Sequence, residues 1–382
     1  VELSNNNSSN NGGAINAIGS TVKMFNSTLF LNTSDSLGGA IYGFESDLEI
    51  ENLNFYNNSG WGGGAIGLDS LTTCKIYSSI FNNNGAWNGG AIGTFAGAKL
   101  RIEGSSILDN NASGYNPNPN EDYPTFGGGG GIYQEWSDSL EIYDSEISNN
   151  TAYNAPGGGI AIYLSNDIII DNIIVNNNTS SGGGGGIMFL RTDNVLFENS
   201  IITDNISEQN SGGGIFIGSE SGDESIFISA TFNRLNIANN YAMSGGGIFS
   251  WSTILNLYNS TIVQNEATDS DWSGGGLASH YVSEPNIINS LFYDNIPNSV
   301  HNGYPQTSVL VTHSLMQEEW NGQANMVDID PLFMDSENGD FTLQVNSPCI
   351  DAGISDFDDD GVNEVTDFLG SAPDLGSTEF MA

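Results

Sequence analysis

Residues 60–92 read GWGGGAIGLDSLTTCKIYSSIFNNNGAWNGGAI, a stretch that begins and ends on the same glycine-rich phrase. The Ile or Leu that closes this phrase occurs ten times, at Ile15, Ile41, Ile66, Ile92, Ile132, Ile160, Ile187, Ile215, Ile248 and Leu277. Successive copies lie 26, 25, 26, 40, 28, 27, 28, 33 and 29 residues apart. A period in the mid-twenties, with insertions in a few copies, is typical of a solenoid whose repeats stack on one another.

A second motif lies inside each copy. An apolar residue is followed five positions later by another apolar residue, and three positions after that by Asn, as in Ile76, Phe81 and Asn84. In the first copy this pattern places Phe25 and Phe30 at the apolar positions and ends in Thr33. Within each copy the residues alternate apolar and polar, as in LEIEN and LRIEG, which is the period of a strand and not of a helix.

These repeats predict an all-β fold, a right-handed parallel β-helix of about a dozen coils. We expect the repeats to span residues 1–327, and closing coils with a cap to span residues 328–382. A leucine-rich repeat would need a Leu-x-x-Leu-x-Leu scaffold that the sequence lacks. A β-propeller would need repeats of about 40 residues or more.

The glycine and asparagine positions predict two bends in every coil. Glycine is required where the backbone needs positive φ or has no room for a Cβ atom. Asparagine tolerates the left-handed region, and stacked amides can hydrogen-bond from coil to coil as a ladder. The predicted ladder consists of Asn58, Asn84, Asn110, Asn150, Asn178, Asn205, Asn240, Asn265 and Asn295.

Composition narrows the choice of partners. The chain has 382 residues, a formal net charge of −40, and six Lys and Arg against 46 Asp and Glu. It therefore has no basic surface for nucleic acid, and anionic membranes are disfavoured. Two cysteines, Cys74 and Cys349, are too few for a disulfide framework, and no apolar run reaches the length of a membrane span. Because the first residues resemble the second half of a repeat, we expect further domains of the same polypeptide and an export signal outside this sequence.

Two parts of the sequence resemble known families. GGAI at 12–15, 38–41 and 89–92, with Phe-x-x-Asn at 55–58, 81–84 and 292–295, resembles the repeat pair of chlamydial polymorphic outer-membrane proteins, which are β-helical surface adhesins and autotransporters. Residues 328–380, from DIDPLFMDSENGDF to APDLGSTEF, resemble the closing coils of large secreted bacterial β-helix proteins, in which a sorting or anchoring segment often follows. The resemblance implies a bacterial protein that is extracellular or held at the cell surface.

The acidic stretch DFDDDGVNEVTD at 356–367 predicts a calcium site. Its acids fall at loop positions 1, 3, 5 and 12, and Gly361 falls at position 6, which is the oxygen-ligand spacing of a calcium loop. The expected ligands of this structural calcium ion are Asp356, Asp358, Asp360, Val362 (through its carbonyl), Glu364 and Asp367. The alternative is an acidic turn that only water solvates.

Aromatic residues recur before the glycine phrase and predict a stripe along one edge of the β-helix. Rings at coil spacing could stack on successive faces of a polysaccharide or a cell-surface glycan, or they could cap the core beneath the glycine bend. The expected glycan-binding residues are Trp61, Trp87, Tyr115, Tyr123, Phe126, Tyr153, Tyr241 and Trp272.

Catalytic patterns are weaker. A polysaccharide lyase would need a Lys or Arg base, yet Lys75 and Arg101 align with Glu49 and Glu141 as an outward ion-pair ladder. A glycoside hydrolase would need two carboxylates about 5 to 9.5 Å apart. Asp109 with Asp144, or Asp204 with a nearby acid, could supply them, but 46 acids make accidental pairs common.

The sequence favours a non-catalytic adhesin or structural module that binds neutral glycans and is stabilised by calcium. A carbohydrate-active enzyme on the same scaffold is the alternative, and a passive spacer within a longer surface fibre is a third possibility.

Overall fold

The computed structural model describes residues 1–114, 127–219, 228–269, 273–303, 307–320 and 322–381. The fold prediction is confirmed: the chain is an all-β solenoid whose strands pair in parallel from coil to coil. Eleven coils contribute a strand to the sheet that follows the glycine phrase. In the ranges described, the helical content is one 3₁₀ turn, Ser336–Asn338, and no helix is long and apolar enough to cross a membrane.

Three parallel sheets form the walls of the solenoid. Sheet 1 receives one long strand or two short strands from each coil, and its 22 strands are Glu2–Ser4, Thr21–Phe30, Asp47–Tyr56, Thr73–Tyr77, Ile80–Asn82, Lys99–Glu103, Ser106–Leu108, Ser139–Tyr143, Glu146–Ser148, Asn166–Asp171, Ile174–Asn176, Asp193–Glu198, Ile201–Thr203, Ile228–Asn233, Asn236–Ala238, Thr253–Tyr258, Thr261–Val263, Glu284–Ile288, Leu291–Tyr293, Leu310–Thr312, Leu315–Met316 and Met326–Val327.

Sheet 2 is short and follows the asparagine bend. Its seven strands are Gly85–Ala86, Asn111–Ala112, Thr151–Ala152, Thr179–Ser180, Ile206–Ser207, Tyr241–Ala242 and Glu266–Ala267, and a separate pair, Asn7–Ser8 with Thr33–Ser34, precedes them.

Sheet 3 follows the glycine bend. Its eleven strands are Ile15–Ile18, Ile41–Phe44, Ile66–Asp69, Ile92–Phe95, Ile132–Glu135, Ile160–Tyr163, Ile187–Leu190, Ile215–Gly218, Ile248–Trp251, Leu277–His280 and Val300–Asn302.

The glycine phrase has a steric cause. Gly63 has φ +73°, and a Cβ atom there would lie 1.9 Å from the carbonyl oxygen of Ile66. At Gly64 the next coil is the obstacle, because a Cβ atom would lie 2.1 Å from the carbonyl oxygen of Gly90. The bend is therefore too tight, and the coils too close, for any side chain at these two positions.

The nine asparagines form a buried ladder. In the first eight, Nδ2 donates to the Oδ1 of the Asn one coil further on, at 2.9 to 3.0 Å, and the ladder ends at Asn295. The same Nδ2 also donates to a backbone carbonyl of the preceding coil, as Asn178 does to Ile147 at 2.9 Å. Polar groups buried at the bend thus find partners, which removes the free-energy cost of burying them unpaired.

The sequence pattern was wrong by one residue in the first copy. Met24 and Leu29 pair with Ile50 and Phe55, whereas Phe25 is 44% exposed. The ladder residue of this coil is Asn32, which donates to Asn58 at 3.0 Å, and not Thr33. A one-residue slip turns every side chain to the opposite face, so the buried amide and the core together fix the register.

Residues 328–381, which we call the flank segment, do not stack as closing coils. Strand Phe333–Asp335 pairs antiparallel with Asp340–Leu343, and the segment packs against the outer face of sheet 1 near its C-terminal end. Its apolar contacts with that face join Phe341, Leu343, Cys349 and Leu375 to Ala238, Val263, Leu291 and Leu315. Trp320, partly buried against the main core, lies before this segment. The segment lies beside the coils and not on top of them because the outward positions of sheet 1 are apolar in the last coils, and packing the segment against them removes their side chains from water.

Candidate functional site

The outer face of sheet 3 is aromatic and apolar. In each strand the Ile or Leu that ends the glycine phrase points inward, so the first and third residues after it point outward. In sheet 1 the corresponding outward column is charged, with Glu49, Lys75, Arg101 and Glu141 in register. In sheet 3 the outward residues from the fourth coil onward are Phe95, Tyr133, Glu135, Ala161, Tyr163, Met188, Leu190, Phe216, Gly218, Phe249, Trp251, Ala278 and His280.

The rings on this face contact one another from coil to coil. The centroid distances are 5.7 Å for Phe95–Tyr133, 5.5 Å for Tyr133–Tyr163, 5.2 Å for Phe216–Phe249, 4.9 Å for Phe249–His280 and 4.4 Å for Trp251–Tyr281. Met188 and Leu190 bridge the interval between Tyr163 and Phe216. The face therefore carries a continuous aromatic and aliphatic layer along the helix axis. Most of this layer is buried, and its partly exposed rings are Phe95, Phe216 and Trp251.

This surface is the floor of a groove. We call it the sheet 3 groove: the outward side chains from Phe95 to His280 form its floor, and the bends before each strand form one wall. A cavity of about 520 Å³ lies between the bend residues Pro156, Gly182, Gly183 and Asn210 and the floor residues Tyr163, Met188, Leu190, Phe216 and Trp251. A second cavity of about 300 Å³ continues it past Phe249 and Trp251 to Asp269 and His280.

Glycine shapes the wall of the larger cavity. A Cβ atom on Gly183 would lie 2.9 Å from the ring of Phe216. The run SGGGGG at 181–186 thus lets the bend approach the floor ring and leaves the space beside it open.

One buried polar atom of the floor borders the larger cavity. The Trp251 Nε1 atom is buried and has no hydrogen-bond partner in the part of the chain that the structure describes. At the far end, His301 lies 6.0 Å from His280, and burial lowers the pKa of His301 while Asp269 opposes that shift. The groove combines ring faces with a few polar groups, which is the usual make-up of a ligand-binding cleft.

Two carboxylates lie on the same face toward its N-terminal end. Asp69 accepts a hydrogen bond from the Tyr42 hydroxyl at 3.1 Å, and burial beside this acid raises the pKa of Tyr42. Glu135 is half-buried, and desolvation raises its pKa although hydrogen bonds from Tyr133 and Trp136 oppose the shift. Neither carboxylate lines the two cavities of the groove.

The predicted aromatic stripe is only partly assembled. Trp61 and Trp87 lie in adjacent coils in an edge-to-face contact of 5.4 Å. Tyr153 occupies the same column, but Ser113 stands between it and Trp87. Tyr241 is two positions earlier in its coil, in the column of Thr179 and Ile206. The structure therefore does not join these four residues into one edge. Tyr115, Tyr123, Phe126 and Trp272 lie outside the described residues.

A sequence signal for the floor was present but missed. The phrases IYQE, IAIY, IMFL, IFIG and IFSW directly follow the glycine runs. Once the Ile is assigned to the core, strand alternation assigns the large residues at the first and third following positions to the outside. The predicted stripe consists of residues that precede the glycines, so it does not include these positions.

The acidic loop gathers four of its six predicted ligands. Oxygen atoms of Asp356, Asp358, Asp360 and Glu364 all lie within 4.8 Å of one another. Gly361, at φ +88°, donates its backbone N–H to Asp356 at 2.8 Å. The Val362 backbone N–H donates to Asp360 at 2.8 Å, and the side chain of Val362 is exposed.

Asp367, also predicted as a ligand, lies outside this group of acids. Its two carboxylate oxygens accept hydrogen bonds from the two terminal nitrogens of Arg234, at 2.6 and 2.5 Å. Asp367 is therefore paired with a cation from the coils. This pairing lowers the pKa of Asp367. A bidentate guanidinium is a strong partner for a carboxylate, and it fixes the flank segment against sheet 1.

The other catalytic candidates do not assemble. Strands Ser106–Leu108 and Glu146–Ser148 are paired in adjacent coils. Asp109 follows the first strand and aligns with Asn149, whereas Asp144 precedes the second strand and aligns with Gly104, so the two acids lie at opposite ends of this strand pair. Asp204 lies between Asn177 and Asn239 in its column, so its neighbours there are amides. These positions offer no carboxylate pair of the kind that glycoside hydrolysis uses.

The basic residues lie away from the floor. In the charged column of sheet 1, Arg101 forms an ion pair with Glu141 of the next coil. Lys23, at the start of the same column, forms an ion pair with Glu49 of the next coil. Lys75 is in register between Glu49 and Arg101 and makes no ion pair among the described residues. All six basic positions are described, and Arg191, exposed just after strand Ile187–Leu190, is the one nearest to sheet 3.

A comparison with family models agrees with this architecture. Residues 38–222 match a family model described as a right handed beta helix region. None of the curated protein sequences matches the chain significantly. Among solved structures, the crystal structure of pectate lyase Pel9A is similar, with a TM-score of 0.42 and 12% identity over 92% of this chain and 88% of that one. The coil-by-coil register shows the fold of the chain, a parallel β-helix, and the family match over residues 38–222 agrees with a right-handed one.

Proposed function

We propose that this protein is a secreted or cell-surface module that binds neutral glycans in the sheet 3 groove, as an adhesin or a structural component. The observation that carries the proposal is the cavity beside Phe216 and Trp251, two floor rings that are partly exposed, whereas most of the other floor rings are buried. Aromatic rings offer flat apolar faces for the C–H faces of sugars, and Tyr and Trp add a polar edge for hydroxyl groups. The groove replaces the bend edge as the expected binding surface.

Charge supports a neutral ligand. The chain carries a formal charge of −40, and none of its six basic residues belongs to the floor. A polyanionic glycan would meet repulsion there with no cation to offset it. The same arrangement argues against a polysaccharide lyase that relies on a Lys or Arg base.

A glycan array tests the proposal. We expect the wild-type protein to bind neutral oligosaccharides and the variant Trp251→Ala to lose most of that signal. The variant Trp61→Ala, which removes a ring from the bend edge, should bind like wild type. If none of the three proteins binds any glycan on the array, whatever its charge, the proposal is overturned and the spacer interpretation remains. Loss of binding in Trp61→Ala alone would restore the bend edge as the site.

Calcium forms the second part of the proposal. Four carboxylates converge in the acidic loop, and their mutual repulsion would be relieved by a divalent cation with oxygen ligands. The loop is tied to the coils because Phe357 lies 4.8 Å from the ring of Tyr258. A cation bound there would therefore stabilise the packing of the flank segment.

Thermal unfolding with and without calcium tests this site. We expect added calcium to raise the melting temperature of the wild-type protein, because a ligand that binds only the folded state stabilises it. The variant Asp358→Asn should lose most of that increase. Asp359→Asn is a matched control, since Asp359 is exposed and is not one of the four converging acids. A melting temperature that calcium leaves unchanged would contradict the site.

A further inference from the structure

Gly218 interrupts one outward column of side chains on sheet 3. Leu190 pairs with Gly218, and Gly218 pairs with Trp251, in three successive coils. Because glycine has no side chain, Leu190 and Trp251 are the nearest side chains of this column on either side of the interruption. Neighbouring parallel strands lie about 4.8 Å apart, so the backbones of these two residues are about 9.6 Å apart. This interval has room for one layer of atoms between the two side chains.

The larger cavity of the groove surrounds the position of Gly218. Its lining includes the two column neighbours, Leu190 and Trp251, and two neighbours along the chain, Phe216 and Ser219. The cavity has a volume of about 520 Å³. We call the space between Leu190 and Trp251 the Gly218 slot, because the side chain that would fill it is missing at that residue.

One face of the Trp251 ring is turned toward the slot. The other face is stacked on Tyr281 of the next coil, with the ring centroids 4.4 Å apart and the two planes 17° apart. This centroid distance is close to the spacing of the coils, so the plane of the Trp251 ring lies across the helix axis. The free face therefore points to the preceding coil, in which the paired residue is Gly218.

Trp251 also separates the two cavities of the groove. Trp251 and Asn210 line both the larger and the smaller cavity. A glycan that lay flat along the floor would have to cross the Trp251 ring to pass from one cavity to the other. A single ring that enters the slot edge first meets no such obstacle, because Leu190 lies on one side of it and Trp251 on the other.

Asn210 supplies polar contacts at the rim of the slot. It is exposed, and its Oδ1 accepts a hydrogen bond from the Ser211 backbone N–H at 2.9 Å. The two N–H groups of the amide remain as donors for a ligand oxygen. A sugar ring combines apolar faces for Leu190 and Trp251 with hydroxyl groups for this amide.

We propose that the Gly218 slot recognises the end of a neutral glycan chain and holds its terminal sugar ring between Leu190 and Trp251. This inference rests on the proposed glycan binding and adds to it which part of the glycan is bound. Gly218 determines the specificity, because any side chain there would take the place of the sugar ring. A Cβ atom on Gly218 would already lie 2.8 Å from the Cβ atom of Trp251.

A series of chain lengths tests recognition of the end. Calorimetric titrations would use gluco-, manno-, xylo- and galacto-oligosaccharides of one to six units. For at least one sugar we expect the affinity per chain to change by less than about three-fold from the disaccharide to the hexasaccharide, because the units beyond the slot add few contacts. An affinity that rises by about ten-fold or more with length would overturn recognition of the end, while glycan binding itself would stand.

Two variants that fill the slot test its position. Gly218→Ala adds a methyl group beside Trp251, and Leu190→Phe adds a ring on the opposite side. Each should weaken binding by at least about ten-fold. Gly85→Ala is the matched control, because a Cβ atom there meets only the Asn111 carbonyl oxygen, at 3.9 Å, and it should bind like wild type.

Melting temperatures show which of these variants are folded. If the close contact with Trp251 prevents Gly218→Ala from folding, Leu190→Phe decides the outcome. Wild-type affinity in either folded variant would overturn the assignment of the slot.

A competition experiment identifies the kind of ring. Indole has an apolar ring without hydroxyl groups, and we expect it not to displace the bound oligosaccharide. Displacement by indole as effective as that by the monosaccharide would overturn the assignment of the slot to a sugar. If none of the oligosaccharides binds to wild type, both this inference and the proposed glycan binding fail.

Discussion

At the scale of single residues, the buried asparagines dominate the architecture. Asn178 donates to the Ile147 carbonyl and to Asn205, and its Oδ1 accepts from the backbone and the side chain of Asn150. The spacing of apolar residues and Asn in the sequence is sufficient to predict this role, because a buried amide can both donate and accept from coil to coil. The left-handed residue of the bend is the one before the ladder Asn, such as Asn177 at φ +53°. The first copy shows the limit of the pattern, since Phe25 and Phe30 are more apolar than Met24 and Leu29 yet lie outside the core column.

Removing one amide from the ladder should be costly. Asn178→Ala leaves the Ile147 carbonyl and groups of Asn150 and Asn205 without partners, and each unpaired buried group costs about 1–3 kcal/mol. We expect a loss of roughly 2–4 kcal/mol in the free energy of unfolding, measured by urea denaturation. Asn54→Ala, at an exposed outward position of sheet 1, is the matched control and should change little. Equal effects of the two substitutions would contradict the ladder as a source of stability.

At the scale of elements, the flank segment is the part that sequence reasoning placed least well. Its acids and Gly361 indicated a calcium loop, but nothing in the local pattern showed that Asp367 would pair with Arg234, because the two residues are 133 positions apart. The segment also hydrogen-bonds through Ile354 to Asn289 and through Ser377 to Thr261. Long-range contacts of this kind depend on which coil the segment lies against, and a repeat pattern does not specify that.

Breaking the Arg234–Asp367 pair should loosen the flank segment alone. In Arg234→Gln we expect faster hydrogen exchange over residues 351–380 at pH 7 and unchanged exchange in the coils. Because the pair lowers the pKa of Asp367, its contribution is present above the unfolded pKa of about 3.9 and is lost as pH falls through the folded value. The difference between variant and wild type should therefore shrink below about pH 4.

The control for this exchange experiment is Arg191→Gln, an exposed arginine away from the flank segment. It should exchange like wild type. Faster exchange throughout the coils of Arg234→Gln would mean that the pair supports the whole fold and not the segment.

At the scale of the whole molecule, stacking turns short sequence phrases into surfaces. Eleven coils at about 4.8 Å each give sheet 3 a length of about 50 Å, along which matching positions become neighbours. The solenoid could be predicted because its signal recurs ten times, whereas the groove could not be placed until the strand after each glycine phrase was assigned an inner and an outer face. In the first coils the outward column of sheet 1 is charged as far as Glu141, whereas the outward positions of sheet 3 from the fourth coil onward are mainly aromatic and aliphatic, and this difference points to sheet 3 as the binding face.

The measurement that tests the groove most directly is a calorimetric titration of a neutral oligosaccharide, chosen from the array, into wild type, Trp251→Ala and Trp61→Ala. We predict that Trp251→Ala binds at least about ten-fold more weakly, equivalent to about 1.4 kcal/mol, while Trp61→Ala binds like wild type. Unchanged affinity in Trp251→Ala, with the fold intact, would contradict the assignment of glycan binding to sheet 3.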